Sequence, residues 1–107
     1  PTVPISNPVF KEDRYWDGRV WPPVNFLIYL GLKQYDSPLA RQAKDFLVSN
    51  SRELLLKDWH RYHYVRENYD PFTGNGTEAN YSAAFYHWGG LLGMMSLIEE
   101  GYIPEPY

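Results

Sequence analysis

The sequence contains no cysteine, which excludes disulfides, thiolate nucleophiles and cysteine-based metal centres. Charge is also sparse: Asp, Glu, Lys and Arg make up 21% of the 107 residues, and the net charge of −3 comes without any cluster of basic side chains. The electrostatic footprint of a nucleic-acid binder is therefore missing, and no nucleic-acid partner is expected. The uncharged run of the third predicted helix, from Tyr81 to Ile98, is barely long enough for a membrane span of about 20 apolar residues. It is interrupted by Ser82, His87, Ser96, Gly89, Gly90 and Gly93, so a membrane partner is not expected either. The opening PTVPISNPVF has no basic region followed by an apolar core and no initiating Met, so it does not read as a targeting segment. The chain reads as a piece or a processed product, and its compartment is unspecified. No segment repeats another.

What the sequence has in excess is aromatic rings: 18% of residues, with ten tyrosines and four tryptophans. The apolar pattern around them is helical. Residues 1–14 carry three prolines and no periodicity, and read as an extended lead-in. Pro22 and Pro23 suit the first turn of a helix, where a missing N–H costs nothing, and apolar residues then recur at helical spacing through Val24, Leu27, Ile28 and Leu32. A helix is predicted over 22–35. Asp36-Ser37-Pro38 caps a second, over 38–59. NYDPFTGNGTEAN is turn-rich and predicts a long loop, followed by a third helix over 81–100 with Asn80 as its cap and Gly101 as its stop. That third helix is apolar on every face, as expected of an element buried inside something larger than three helices. The expectation is an all-α chain belonging to a bigger body.

Candidate chemistry falls in two places. One is YWDGRVW, with Asp17, Arg19, Trp16 and Trp21; the other is the long loop, with Glu67, Asp70 and Glu78. Each side chain admits two readings. Trp16 and Trp21 staple a helix entrance into a core, or offer flat faces on which sugar C–H groups stack. Asp17 and Arg19 form an ordinary ion pair, or address hydroxyls. Glu67 is a solvated loop carboxylate, or a reactive group displayed on a loop among Tyr62, Tyr64 and Tyr69 and beside Arg66. His60 and His63 share a helical face, but no third ligand stands at a matching offset, so no metal site and no cofactor are expected. The sequons at Asn75 and Asn80 are short patterns of no diagnostic weight.

The motifs resemble a known family. YWDGRVWPPVNFLIYLGL is similar to the signature of glycoside hydrolases with (α/α)6-barrel catalytic domains, especially glycoside hydrolase family 63. That signature runs Tyr-Trp-Arg-Gly-Pro-x-Trp, then Asn-Tyr and a Gly-Leu in the next helix. Tyr15, Trp16, Gly18, Trp21, Asn25, Phe26, Gly31 and Leu32 fill its places. Asp17 stands where Arg is more usual, as in the Gln-Trp-Asp of the related trehalases, and Arg19 replaces a Pro. ENYDPFTGNG resembles the family's Glu-x-Tyr-(Asp/Asn)-Pro-x-Thr-Gly. ANYSAAFYHWGGLL resembles the helix start that follows it, with Ala83 where Trp is common.

The resemblance implies that residues 1–107 are the C-terminal part of an (α/α)6 toroid, about three helices with a long loop between the second and third. It further implies an inverting glycosidase acting on α-linked glucose- or mannose-type sugars, of the α-glucosidase, α-mannosidase or trehalase kind. Glu67 matches the general base, while Trp16, Asp17, Arg19, Trp21 and Tyr69 match positions around the sugar. Arg66 and tyrosine hydroxyls are expected to support the base by hydrogen bonding. The general acid of such enzymes lies far upstream of the matching region, so the chain alone is expected to be inactive and to need the remainder of the barrel, in the same or another chain. The alternative is a helical carbohydrate-binding or interaction module that uses the same aromatics without chemistry.

Overall fold

A computed structural model of the chain describes residues 1–11, 14–76 and 82–105. It is all-α, as expected of part of an (α/α)6 toroid: among the described residues there are four α-helices and no strand, only two isolated bridges. A single turn, α1 (Tyr15–Gly18), leads into α2 (Pro22–Leu32), α3 (Pro38–Tyr62) and, after a long irregular connection and a 3₁₀ turn over His87–Gly90, α4 (Leu91–Glu99). Glu78, Asn80 and Tyr81 lie outside the described residues.

Local chemistry accounts for most of the boundaries. Pro22 and Pro23 occupy the first turn of α2, and Pro38 that of α3, where the Ser37 hydroxyl accepts the Ala40 N–H at 3.1 Å. α3 ends three residues later than predicted, at Tyr62, and His63 beyond it, with a left-handed backbone (φ 57°), closes the helix by donating its N–H to the Trp59 carbonyl. α4 stops as predicted at Gly101, whose φ of +77° lets Gly101 and Tyr102 return their N–H groups to Ile98 and Leu97.

The helix predicted over 81–100 is the main correction. Residues 82–86 form no helix, with a bend at Ala84 and an isolated bridge at Phe85, and the α-helix proper begins only at Leu91. Helical periodicity was a poor guide there because the segment pairs with the loop across from it: Tyr86 N–H donates to the Val65 carbonyl at 2.8 Å, and Glu67 N–H to the Ala83 carbonyl at 3.2 Å. The lead-in is likewise a run of turns, closed by Asn7 N–H on Pro4 and Phe10 N–H on Asn7, rather than an extended strand.

α2, α3 and α4 pack against one another in a slab, and the chain as a whole measures 39 × 34 × 19 Å. Its core joins Tyr29 of α2, Val48 of α3, Leu92, Met95 and Ile98 of α4, and Tyr69 of the connection. Leu27, Ile28, Leu39, Phe46 and Leu97 remain exposed, so apolar side chains also point away from this core. α4 is buried along Leu92, Met95 and Ile98 but not on every face. No helix is long and apolar enough to cross a membrane.

Candidate active site

Two short segments meet in front of the slab. Val20 and Tyr69 form an antiparallel bridge, exchanging N–H···O=C bonds of 2.9 Å in both directions. This clasp brings the opening motif and the long loop together although they lie far apart in the chain. Beside it the Arg19 guanidinium, almost fully buried, donates from Nε to Asn68 Oδ1 at 2.8 Å and pairs with Asp70 Oδ2 at 3.3 Å. Asp70 also accepts the Phe72 and Thr73 N–H groups on Oδ1, at 2.9 and 2.7 Å. Burial pushes its pKa up, but the Thr73 and Phe72 N–H groups, the Thr73 hydroxyl and the Arg19 charge outweigh that and lower it, so the carboxylate stays ionised. Asn68 is locked in turn by Ser82, whose hydroxyl donates to the Asn68 carbonyl at 2.6 Å and accepts its N–H at 3.2 Å.

Glu67 lies within this arrangement, largely buried. Its carboxylate accepts the Tyr15 hydroxyl on Oε1 and the Ala83 N–H on Oε2 at 3.4 Å, and its carbonyl accepts Trp88 Nε1–H at 2.9 Å. Two protein donors leave part of the carboxylate's capacity of about four acceptor positions for a further donor such as water. Tyr15 is fixed by Trp21, whose Nε1–H donates to the Tyr15 carbonyl at 3.0 Å and whose ring meets the Tyr15 ring edge-on at 4.5 Å. Burial, then the hydrogen bond and the negative charge of Glu67, push the Tyr15 phenol up to about 12, so it serves Glu67 as a donor across the neutral range.

The predicted site residues thus divide. Trp16 stacks on Trp21 with ring centroids 3.9 Å apart and is 51% exposed, while Asp17, partly exposed, pairs with Arg14 at 3.0 Å. Trp21 and Arg19 are 1% exposed and Tyr69 is fully buried, its hydroxyl accepting the Arg66 N–H at 3.3 Å. These three face protein, not an open cleft. Arg66 does not support the carboxylate of Glu67: its Nε donates to Asp58 Oδ2 at 2.7 Å. The carboxylate's partners are instead Tyr15, present in the quoted motif but not singled out, and a backbone N–H that no side-chain pattern reports. Tyr86 and Trp88, with rings 4.4 Å apart, complete the aromatic surround. Among the described residues no group of three or more His, Asp or Glu side chains converges in a way that would hold a metal ion.

Residues 1–88 match the family described as mannosylglycerate hydrolase MGH1-like glycoside hydrolase domain. The chain belongs to that family. Among curated proteins, the mannosylglycerate hydrolase of Thermus thermophilus is 36% identical over 78 residues, covering 71% of this chain and 16% of that protein. The mannosyl-oligosaccharide glucosidase of Saccharomyces cerevisiae is 27% identical over 92 residues, covering 77% of this chain and 11% of the relative. The chain therefore spans less than a fifth of the length of either relative. No solved structure matches it. The resemblance to glycoside hydrolase family 63 read from the two motifs holds, and the clasp, Tyr15 and Glu67 all lie within the matched residues.

Proposed function

We propose that this chain is part of an inverting glycoside hydrolase acting on α-linked glucose- or mannose-type sugars, and that Glu67 is its general base. The observation that carries this reading is the convergence on one carboxylate of the Tyr15 hydroxyl from the opening motif and the Ala83 N–H from beyond the loop. Two donors fix the direction of the carboxylate, as a group that must meet a water in one geometry requires. The family membership and the names of the two relatives, one a mannosylglycerate hydrolase and the other a glucosidase, support the sugar class.

In this mechanism Glu67 takes a proton from a water that attacks the anomeric carbon, while an acid elsewhere protonates the departing oxygen. Inversion places the two carboxyl groups roughly 6.5–9.5 Å apart, with the water between base and sugar. The acid belongs to a part of the enzyme outside these 107 residues, as does the rest of the toroid that closes over the exposed apolar faces. Trp16 presents an apolar ring for the sugar's C–H face, and Asp17 accepts a hydroxyl. Trp21, Arg19 and Tyr69 act from behind: Trp21 holds Tyr15, and Arg19 and Tyr69 hold the loop on either side of Glu67.

The test is hydrolysis of a panel of α-glucosides and α-mannosides by the longest native polypeptide containing this segment, wild type against Glu67→Gln, with the product anomer read by NMR. Inverted product from the wild type and its disappearance in the variant support the reading. Retained product, or a variant with undiminished turnover, refutes it; sugar binding without turnover in either protein moves the chain to a binding module.

A further inference from the structure

Glu67 sits on a segment without helix or sheet to hold it, so something else fixes the direction of its side chain. Glu67 stands at a bend in this irregular connection, one planar peptide unit from Arg66, so anchoring Arg66 restricts the direction its neighbour can take. The residue before Glu67 is anchored on every side. Arg66 Nε donates to Asp58 Oδ2 at 2.7 Å, a pair in which the side chains are 6% and 3% exposed. Its guanidinium carbon lies 4.7 Å from the Tyr64 ring centroid and 5.9 Å from that of Tyr62. Its stem lies so close to Gly76 that a Cβ there would collide with Arg66 Cβ, Cγ and Cδ, and a Cβ on Gly89 would come 2.5 Å from the Arg66 carbonyl oxygen.

As a source of stability this arrangement is poor. Desolvating two charges costs as much as their attraction returns, and apolar residues of similar volume usually do as well or better. Arg66 NH1 is moreover buried without a hydrogen-bond partner, a further cost. What the pair does provide is direction: with Arg66 drawn toward the end of α3, the following side chain is left to face Tyr15 and Ala83. We propose that Asp58 and Arg66 are positioning residues for Glu67, acting through the backbone and touching no substrate. This inference rests on the reading of Glu67 as the base.

The decisive experiment, in the same long polypeptide, is the double variant Asp58→Leu/Arg66→Met, which removes both buried charges and keeps the volume. A pair that only stabilised the fold would leave kcat intact in the folded double variant. A positioning pair loses about 10-fold or more in kcat at nearly unchanged KM, with a melting temperature close to that of the wild type, because sub-ångström displacement of a reacting group is expensive in rate. A kcat within about twofold of the wild type in the folded double variant overturns the proposal. Should the double variant not fold, Arg66→Lys decides: it keeps a cation for Asp58 but lacks the planar guanidinium, and an unchanged kcat overturns the proposal equally. Glu67→Gln, run beside these, separates the two failures. If it remains active the base assignment falls, and this inference with it; if it is dead while both positioning variants turn over normally, only the inference falls.

Discussion

Around Tyr29, Leu92 and Met95 the chain is held by apolar burial shared among many neighbours, whereas around Glu67 it is held by single bonds, each with one donor and one acceptor. The first region tolerates exchange of one apolar side chain for another of similar size, at a modest cost in stability. The second tolerates little, because removing either partner leaves the other buried and unsatisfied. With Glu67 as the proposed base, substitutions at its carboxylate and at the hydroxyl that holds it should change turnover more than melting, and substitutions in the apolar core the reverse.

The sharpest break of that comparison is Glu67→Gln. The amide keeps the carboxylate's shape and one acceptor for Tyr15, but it takes no proton from water. Turnover should fall by about 10²–10⁴-fold with little change in KM or melting temperature, measured by steady-state kinetics and a thermal melt on the same preparation. Leu92→Ala is the mirror image, expected to cost about 2–5 kcal/mol of stability while leaving the kcat of the folded fraction unchanged. If Leu92→Ala instead abolished turnover in a folded protein, the separation of the two regions would be wrong.

The two stacked tryptophans repeat the contrast within one pair of rings. Trp21 is buried against Tyr15, Trp16 and Trp88, so Trp21→Ala opens a cavity and should destabilise the protein by about 3–5 kcal/mol, read by denaturant unfolding. Trp16 covers Trp21 from the open side. Trp16→Ala should leave the fold in place and weaken binding of the sugar product by about 3- to 10-fold, read by calorimetric titration. Tyr15→Phe falls between these: it keeps the ring against Trp21 and removes only the donor to Glu67, and should lower kcat about 10-fold. Because the Tyr15 pKa is raised to about 12, its phenol is neutral throughout the working range. Any basic limb in the wild-type pH–rate profile should therefore persist in Tyr15→Phe.

The helices were legible because their signals are local. Pro22-Pro23, Ser37-Pro38 and Gly101 mark ends by their own backbone chemistry, and α2 and α3 begin where those residues put them. The irregular stretch at 82–86 was not legible, since SAAFY carries a helix-compatible pattern and its pairing partner, Val65–Glu67, lies well upstream across the loop. The site shows the same limit. Glu67, Tyr15 and Trp21 stand in recognisable motifs, but what a motif withholds is direction: Arg66, next to Glu67 in sequence, turns to Asp58, and Arg19 turns inward to Asn68 and Asp70. Asp58 gave no signal at all, being one acidic residue in a charged stretch of a long helix. Such side chains are revealed by their partners, which the sequence does not name.

The slab also carries polar contacts between its helices, and the one at Glu99 yields the smallest predicted effect. Glu99, at the end of α4, accepts the Tyr29 hydroxyl at 2.7 Å, Lys33 Nζ at 3.2 Å and Lys44 Nζ, tying α4 to both α2 and α3. Burial alone would raise its pKa; the bonds from Lys44, Tyr29 and Lys33 outweigh this and bring it to about 2, from an ordinary value of 4.5. The folded-state pKa is the lower one, so the stabilisation is fully present above the ordinary value and is lost as pH falls through about 4.5 toward about 2. The melting temperature of the wild type should therefore decline over that window by a few degrees more than that of Glu99→Gln. The variant should start lower at neutral pH and converge with the wild type in acid. Because these lysines are partly solvent-exposed, the gap between the two proteins should also shrink in high salt. A gap that shrank in acid but stayed constant in salt would mean that Tyr29, rather than the lysines, carries the contact, since its neutral hydroxyl favours the ionised carboxylate but is not screened by salt.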